Sequence, residues 1–263
     1  MLNLEKISGL PLSVGDDYKL SFGDKLQGSE PAVRKLLDLA PVLMDKNAKS
    51  DRDEMYYVYR DVHFPWDEEV LRNNSIRYDL TVIPPAMIGK EYVKTLGHYH
   101  SKIPNSEIAY PEIYEVLHGE ALFLIQKLNT DGTVNTVLAI EAKTGDKVIY
   151  PPNYGHIIIN TGKDVLVTAN FVSDRYQADY RSVSEKQGMA YYVVKGKNTK
   201  FEFIPNPAYG DVPQVRAMVA SKNPGARIVP EGPMYKIGVL SPARLEFLNH
   251  PARYAVELSA ISS

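Results

Sequence analysis

The chain has 263 residues, 44% of them apolar and 24% charged, which is enough to bury a substantial core in one main domain with additions. Thirty basic and 32 acidic side chains give a formal charge of −2, so no cationic surplus awaits a phosphate backbone or an anionic membrane, and neither nucleic acid nor membrane is expected as a partner. Zero cysteines exclude disulfides, thiolate metal sites and a cysteine nucleophile, so any metal has to be held by histidine and carboxylate.

The opening residues Met1 to Lys6 lack the apolar core of a signal peptide, and no run approaches the ~20 apolar residues that span a bilayer; a cytoplasmic location is the expectation. Ser29-Glu30-Pro31 ahead of Val33, Leu36, Leu37, Ala40, Val42 and Leu43 predicts one capped amphipathic helix. From Met55 the texture changes to short apolar runs divided by Pro, Gly, Asn and Asp. Strands are predicted at Met55 to Tyr59, Arg77 to Ile83, Ile113 to Leu117, Ala121 to Lys127 and Val134 to Ile140. They continue at Lys147 to Tyr150, Ile157 to Asn160, Val165 to Val172, Tyr191 to Val194 and Lys200 to Ile204. Asn129-Thr130-Asp131-Gly132 is a hairpin turn, because Asn and Gly tolerate positive φ. Such a density of strands without intervening helices argues for a closed or sandwiched β-barrel.

Past Phe203 the pattern shifts to a helical candidate at Val212 to Ser221, a proline-rich stretch from Asn223 to Pro233, and a short capped helix after Ser241-Pro242. The division expected is an N-terminal arm with its helix over 1–50, a barrel over 51–205 and a C-terminal extension over 206–263. Val239, Leu240, Leu245, Phe247 and Leu248 would either cover a barrel face or reach a neighbouring subunit. Trp66, the one tryptophan, reads as a packing anchor, and His63 and His250 as structural.

His98-Tyr99-His100 sets two imidazoles on one face of a strand, with Tyr99 on the other. Glu112 opens the next strand and His156 follows the turn Pro151 to Gly155. Three imidazoles and one carboxylate suit a divalent first-row ion and leave positions open for substrate or water. Two histidines two residues apart are common and often merely hydrogen-bonded, so this pair gains weight only from the intervals around it. Glu112 is followed by six residues and Gly119. Gly145 is followed by five residues, Pro151, four more, His156, three more, and Asn160.

Those intervals resemble the two cupin motifs, whose histidines and glutamate meet inside a small β-barrel. Eleven residues part His100 from Glu112 where three or four are usual, which admits Glu107 as a rival ligand. Asn153 stands where the second motif has glycine, a mild change because asparagine also accepts left-handed geometry. The fold class implied is mainly β, a jelly-roll-like cupin barrel with an N-terminal helix and a C-terminal extension.

Tyr78 to Pro85, Lys94 to His100 and Pro111 to Tyr114 resemble the archaeal cupin-type glucose-6-phosphate isomerases, over roughly residues 50 to 205. The resemblance implies a metal at His98, His100, Glu112 and His156, and sugar-phosphate contacts at Thr81, Thr95, Gly97 and Tyr114. Glu112 would be the catalytic base, with a metal-assisted hydride shift as the alternative. Fe2+ is the first metal expected, with Mn2+, Ni2+ or Zn2+ also compatible, and family members pair as homodimers. Threonine hydroxyls and a glycine N–H are neutral donors, in keeping with the balanced charge. A histidine found near the sugar phosphate in some members falls at Ala178, where Arg175, Tyr176 and Gln177 stand nearby, and the extra residues 105–109 flank the expected pocket mouth. Three functions follow in order: a glucose 6-phosphate/fructose 6-phosphate isomerase; another metal-dependent cupin enzyme such as an epimerase, decarboxylase or dioxygenase; and a non-catalytic sugar-binding cupin. The bland reading of Thr81, Thr95 and Tyr114 is ordinary strand packing. Tyr150 and Tyr154 admit both pocket-lining and packing roles, and His118 reads either as sharing the face of Glu112 and Tyr114 or as an exposed strand-end histidine near Gly119, while strand parity turns Lys94 away from the face of Thr95.

Overall fold

In the computed structural model, which describes residues 1–224 and 229–261, the apolar runs pair into two main sheets. We label their strands β1 (Ala32–Lys35), β2 (Glu54–Tyr59), β3 (Ile76–Ile83), β4 (Glu112–His118), β5 (Glu120–Leu128), β6 (Val134–Lys143), β7 (Lys147–Tyr150), β8 (Tyr154–Asn160), β9 (Leu166–Ser173) and β10 (Arg216–Val219). The larger sheet has the order β7-β4-β9-β3-β2-β1 and the smaller β8-β5-β6-β10. They face one another as a mainly β, jelly-roll-like barrel, as the cupin intervals implied. Every predicted strand is present within a few residues. The β5–β6 hairpin turns at Asn129 to Gly132, where Gly132 has φ 82° and the Asn129 N–H donates to Thr133 O at 2.8 Å.

Strand parity explains why β2, β3, β4 and β9 are so continuously apolar. Their inward side chains, among them Tyr56, Ile83, Tyr114, Val116 and Leu166, share a core with Phe123, Ile125, Leu138 and Ile157 of the smaller sheet. Their outward side chains, including Tyr57, Tyr78, Leu80, Ile113, Val167 and Phe171, form a second core beneath the chain termini. The larger sheet is thus buried on both faces, which removes the polar alternation a solvated sheet would show.

The termini make that second cover. Leu4, Leu10 and Leu12 pack on it from the N-terminal side, and Met234, Tyr235, Leu245, Phe247 and Leu248 from the C-terminal side. Glu115 on β4 accepts the Met234 N–H at 2.9 Å and pairs with fully buried Lys147 at 3.0 Å. The Tyr235 hydroxyl donates to Asp67 at 2.7 Å and accepts the Phe64 N–H at 3.0 Å. Leu245, Phe247 and Leu248 therefore cover a barrel face of their own chain and are spent there. Val239 is partly buried on the same core, and Leu240 remains 78% exposed. The short helix after Ser241 is the 3-10 turn Pro242–Leu248. Part of the proline-rich stretch, 225–228, lies outside the described residues.

Two predicted helices are different in fact. Over 29–43 the chain first forms β1, antiparallel to β2, and only then turns helical at Leu36–Leu39 and Ala40–Val42. Ser29 does not cap a helix: its hydroxyl accepts the Arg60 N–H at 3.0 Å, and Val33 packs against the outer core. Val212 to Ser221 contains β10, parallel to β6 from Leu138↔Arg216 to Glu141↔Val219. The open edge of β6 supplies hydrogen bonds that outweigh the weak helical periodicity. Trp66 is also no core anchor; it is 61% exposed and stacks on Phe64 at 4.5 Å. Among the described residues no helix is long and apolar enough to cross a membrane.

Candidate metal centre and substrate cavity

His98, His100, Glu112 and His156 come from three places in the fold. The short strand Tyr99–His100 and its preceding residue lie against β8, with His98 and His156 exchanging backbone hydrogen bonds at 3.3 and 3.1 Å. Glu112 begins β4 in the larger sheet, so the cluster bridges the two sheets at one end of the barrel. One donor atom from each of the four lies within 4.8 Å of the others. His98 Nε2 and His100 Nε2 are 3.2 Å apart, and Glu112 Oε2 is 3.4 Å from His100 Nε2 and 3.3 Å from His156 Nε2. Ligand bonds of ~2.0–2.2 Å set adjacent donors around one ion about 3 Å apart, so the spacing fits a single cation.

Hydrogen bonding around the cluster aims the donors inward. Tyr110 O lies 2.9 Å from His100 Nδ1, so a proton held at Nδ1 leaves the Nε2 lone pair facing the centre. Asn170 of β9 donates to Glu112 Oε1 at 2.7 Å, fixing the carboxylate while Oε2 stays buried without a hydrogen-bond partner. His156 Nε2 is likewise buried and unpartnered. Burial, reinforced by neighbouring imidazoles, pushes His98 and His156 well below the usual histidine range and keeps them neutral, the ligating form. Orphaned inward donors of this chemistry are what a divalent cation satisfies, and the four residues fit one.

Thr81, Thr95, Gly97 and Tyr114 line one cavity with His98, Glu112 and His156. Thr81 faces inward from β3 opposite Thr168, and Tyr114 follows Glu112 by two residues on the same face of β4. Thr95 accepts the Ile158 N–H through Oγ1 at 3.0 Å, which leaves its own O–H as a donor. Gly97 has φ 80°, and a Cβ there would stand 2.4 Å from Ile157 Cγ2 and 3.3 Å from His156 O, so only glycine lets this segment pass the β8 ligand. Burial and adjacent Glu112 push the Tyr114 hydroxyl well above the usual phenol range, so it remains a donor.

Glu107 lies apart from the cluster; it is exposed and paired with Lys102. Asn153 does take left-handed geometry, with φ 69°, and its side chain accepts the Ala109 N–H at 2.8 Å, tying the 105–109 loop to the turn before His156. Lys94 is buried in a pair with Glu91, away from the cavity. Tyr150 stacks 4.2 Å from His156, whereas Tyr154 lies under Lys127. His118 follows a register shift after Val116 and lies near Lys163 and Asp164, at the opposite strand ends from Glu112. A larger cavity, of about 1070 Å³, also opens at those opposite ends, beside Gly119 and Thr161, and contains none of the four clustered residues.

The segment around Ala178 forms part of the wall. Tyr176 lies over His100 at 4.3 Å and Tyr180 is 5.0 Å from His98, while Ala178 between them pairs in strand register with His100. Asp79, Arg34 and Arg60 also line the cavity. None of these three is assigned to the site from the sequence: parity exposes Asp79, which is two residues before Thr81 on one strand, whereas Arg34 falls in the segment predicted as helix and Arg60 just past a predicted strand.

A glucose-6-phosphate isomerase family model matches residues 33–209. The glucose-6-phosphate isomerase of Thermococcus litoralis is 31% identical over 201 residues, spanning 73% of this chain and 98% of that protein. Those of Thermococcus gammatolerans and Pyrococcus furiosus are 28% and 26% identical, each across 73% of this chain and 98% of the relative.

Proposed function

The chain belongs to the glucose-6-phosphate isomerase family, and we propose that it interconverts glucose 6-phosphate and fructose 6-phosphate, a step of glycolysis and gluconeogenesis, at one divalent metal held by His98, His100, Glu112 and His156. The observation that carries this reading is the convergence of four inward-facing donors within 4.8 Å in the same cavity as Thr81, Thr95, Gly97 and Tyr114. A divalent ion bound there supplies a Lewis acid that polarises the sugar's C1 and C2 oxygens and steadies the charge that develops as hydrogen moves between those carbons.

The chain's own groups do the rest. Thr81, Thr95 and Gly97 bind the phosphate end, and the Tyr114 O–H donates beside Glu112. Two carboxylates line the cavity among the described residues, and Asp79 is committed to arginine. Glu112 is thus the group placed to take the proton from one carbon and return it to its neighbour. Ligation lowers the basicity of that carboxylate, which favours a second reading: direct hydride transfer between C1 and C2 with Glu112 acting only as ligand. Fe2+ is the metal we favour, in a cytoplasmic homodimer.

A panel of sugar phosphates assayed separately with Fe2+, Mn2+, Ni2+ and Zn2+ tests the proposal. Turnover of fructose 6-phosphate that chelation abolishes supports it; turnover of a different substrate class by the metal-loaded protein transfers the site to another cupin chemistry. Fructose 6-phosphate labelled at C1 separates the two routes, since a proton exchanges with solvent and a hydride is retained.

A further inference from the structure

Two guanidinium groups reach the substrate cavity from the edge of the larger sheet. Arg34 sits on β1 opposite Tyr56 of β2 and, with Tyr56, lines the cavity. The Tyr56 hydroxyl accepts the Leu96 N–H at 3.2 Å. Tyr56, the β2 neighbour of Arg34, therefore joins this sheet edge to the Thr95–Leu96–Gly97 backbone. Among the described residues no carboxylate forms an ion pair with Arg34.

Arg60, one residue past β2, lies 3.4 Å from Asp79. That carboxylate is already held by Arg77, with Nε 2.9 Å from Oδ1 and Nη2 2.8 Å from Oδ2, and it accepts the Asp61 N–H at 2.9 Å. Two cations on one anion leave a net positive charge. Asp79 is nearly fully buried, whereas the Arg60 side chain is 40% exposed and lines the cavity.

A sugar phosphate brings about −1.5 to −2 charges to the site at pH 7. Neutral threonine and glycine donors satisfy its oxygens without balancing that charge, whereas a guanidinium fork does both. We infer that Arg34 and Arg60 form a cationic clamp for the substrate's phosphate, on the cavity wall shared with Thr81 and Thr95. This inference rests on the reading that the substrate is a phosphorylated sugar and adds to it the charged groups that select the phosphate.

The test compares metal-loaded wild type with Arg34→Gln and Arg60→Gln, measuring KM and kcat for fructose 6-phosphate and the inhibition constant of inorganic phosphate. Each substitution is expected to raise KM and the phosphate constant together by about tenfold or more, as for loss of a charged hydrogen bond, with kcat within about threefold. Arg34→Lys and Arg60→Lys keep the charge without the fork, so a smaller rise in both constants is expected; they also serve if a glutamine variant does not fold. A purely structural role, with Arg34 steadying Tyr56 and Arg60 neutralising Asp79, predicts lower thermal stability with an unchanged phosphate constant. That result, or both constants within twofold of wild type, overturns the clamp. If the wild type turns over no sugar phosphate, the proposed reaction fails while calorimetric titration with inorganic phosphate still decides the clamp. Binding weakened in both glutamine variants supports it, and no binding to the wild type overturns it.

Discussion

Gly97→Ala is the substitution whose consequence follows most directly from the structure. At φ 80° an alanine is held in the left-handed region, and its Cβ would stand 2.4 Å from Ile157 Cγ2. The backbone term is roughly 1–2 kcal/mol. Ile157 is buried on β8 and stiff at χ1, so its methyl cannot simply swing aside, and overpacking adds about 1–3 kcal/mol. The total expected loss is about 2–5 kcal/mol, or a fall in Tm of about 2–4 °C for each kcal/mol in a chain of this size. Ile157→Ala alone removes the obstructing methyl and costs about 2–5 kcal/mol through its cavity. The double variant should then be less unstable than the two losses added, by about 1–3 kcal/mol, because the clash no longer exists. Urea unfolding of all four proteins in the presence of chelator measures the cycle without a metal contribution. Gly97→Ala within about 0.5 kcal/mol of wild type, or strictly additive losses, would falsify the claim that Gly97 is required by its approach to β8.

Metal analysis of the wild type should give near one equivalent, and the His98→Ala, His156→Ala double variant should retain almost none; undiminished metal would remove the site. Glu112→Gln should lose metal and turnover while Glu107→Gln keeps both, and the reverse pattern would install the exposed carboxylate as ligand. Thr95→Val should raise KM for fructose 6-phosphate and also cost about 1–3 kcal/mol, because the Ile158 N–H loses its acceptor, so a KM effect with unchanged denaturation would contradict the observed bond. Lys147→Met should destabilise by about 3–5 kcal/mol by leaving Glu115 buried and unpaired, and Glu115→Gln in that background should recover part of the loss in a thermal melt. Light scattering should find a homodimer; a mass near 29.5 kDa at micromolar concentration would refute it.

The strands and the four clustered donors were legible in the sequence because both depend on local spacing. Period-two alternation puts His98 with His100, and Glu112 with Tyr114, on shared faces whatever else the chain does. The six residues from Glu112 to Gly119 also distinguished it from Glu107, although the insertion before it obscured the usual interval. The rest was decided by contacts distant in sequence. Val33 reads equally well as a helical or a strand position until β2 lies beside it, and Ser29 serves the Arg60 N–H instead of a helix end. The tail's Leu245, Phe247 and Leu248 are apolar on any reading, and only the double-sided burial of the larger sheet determines that they cover their own barrel. Arg34 and Arg60 enter the cavity for the same reason. Net charge counts side chains over the whole surface, whereas the local field depends on which of them the strand pairing gathers around one carboxylate.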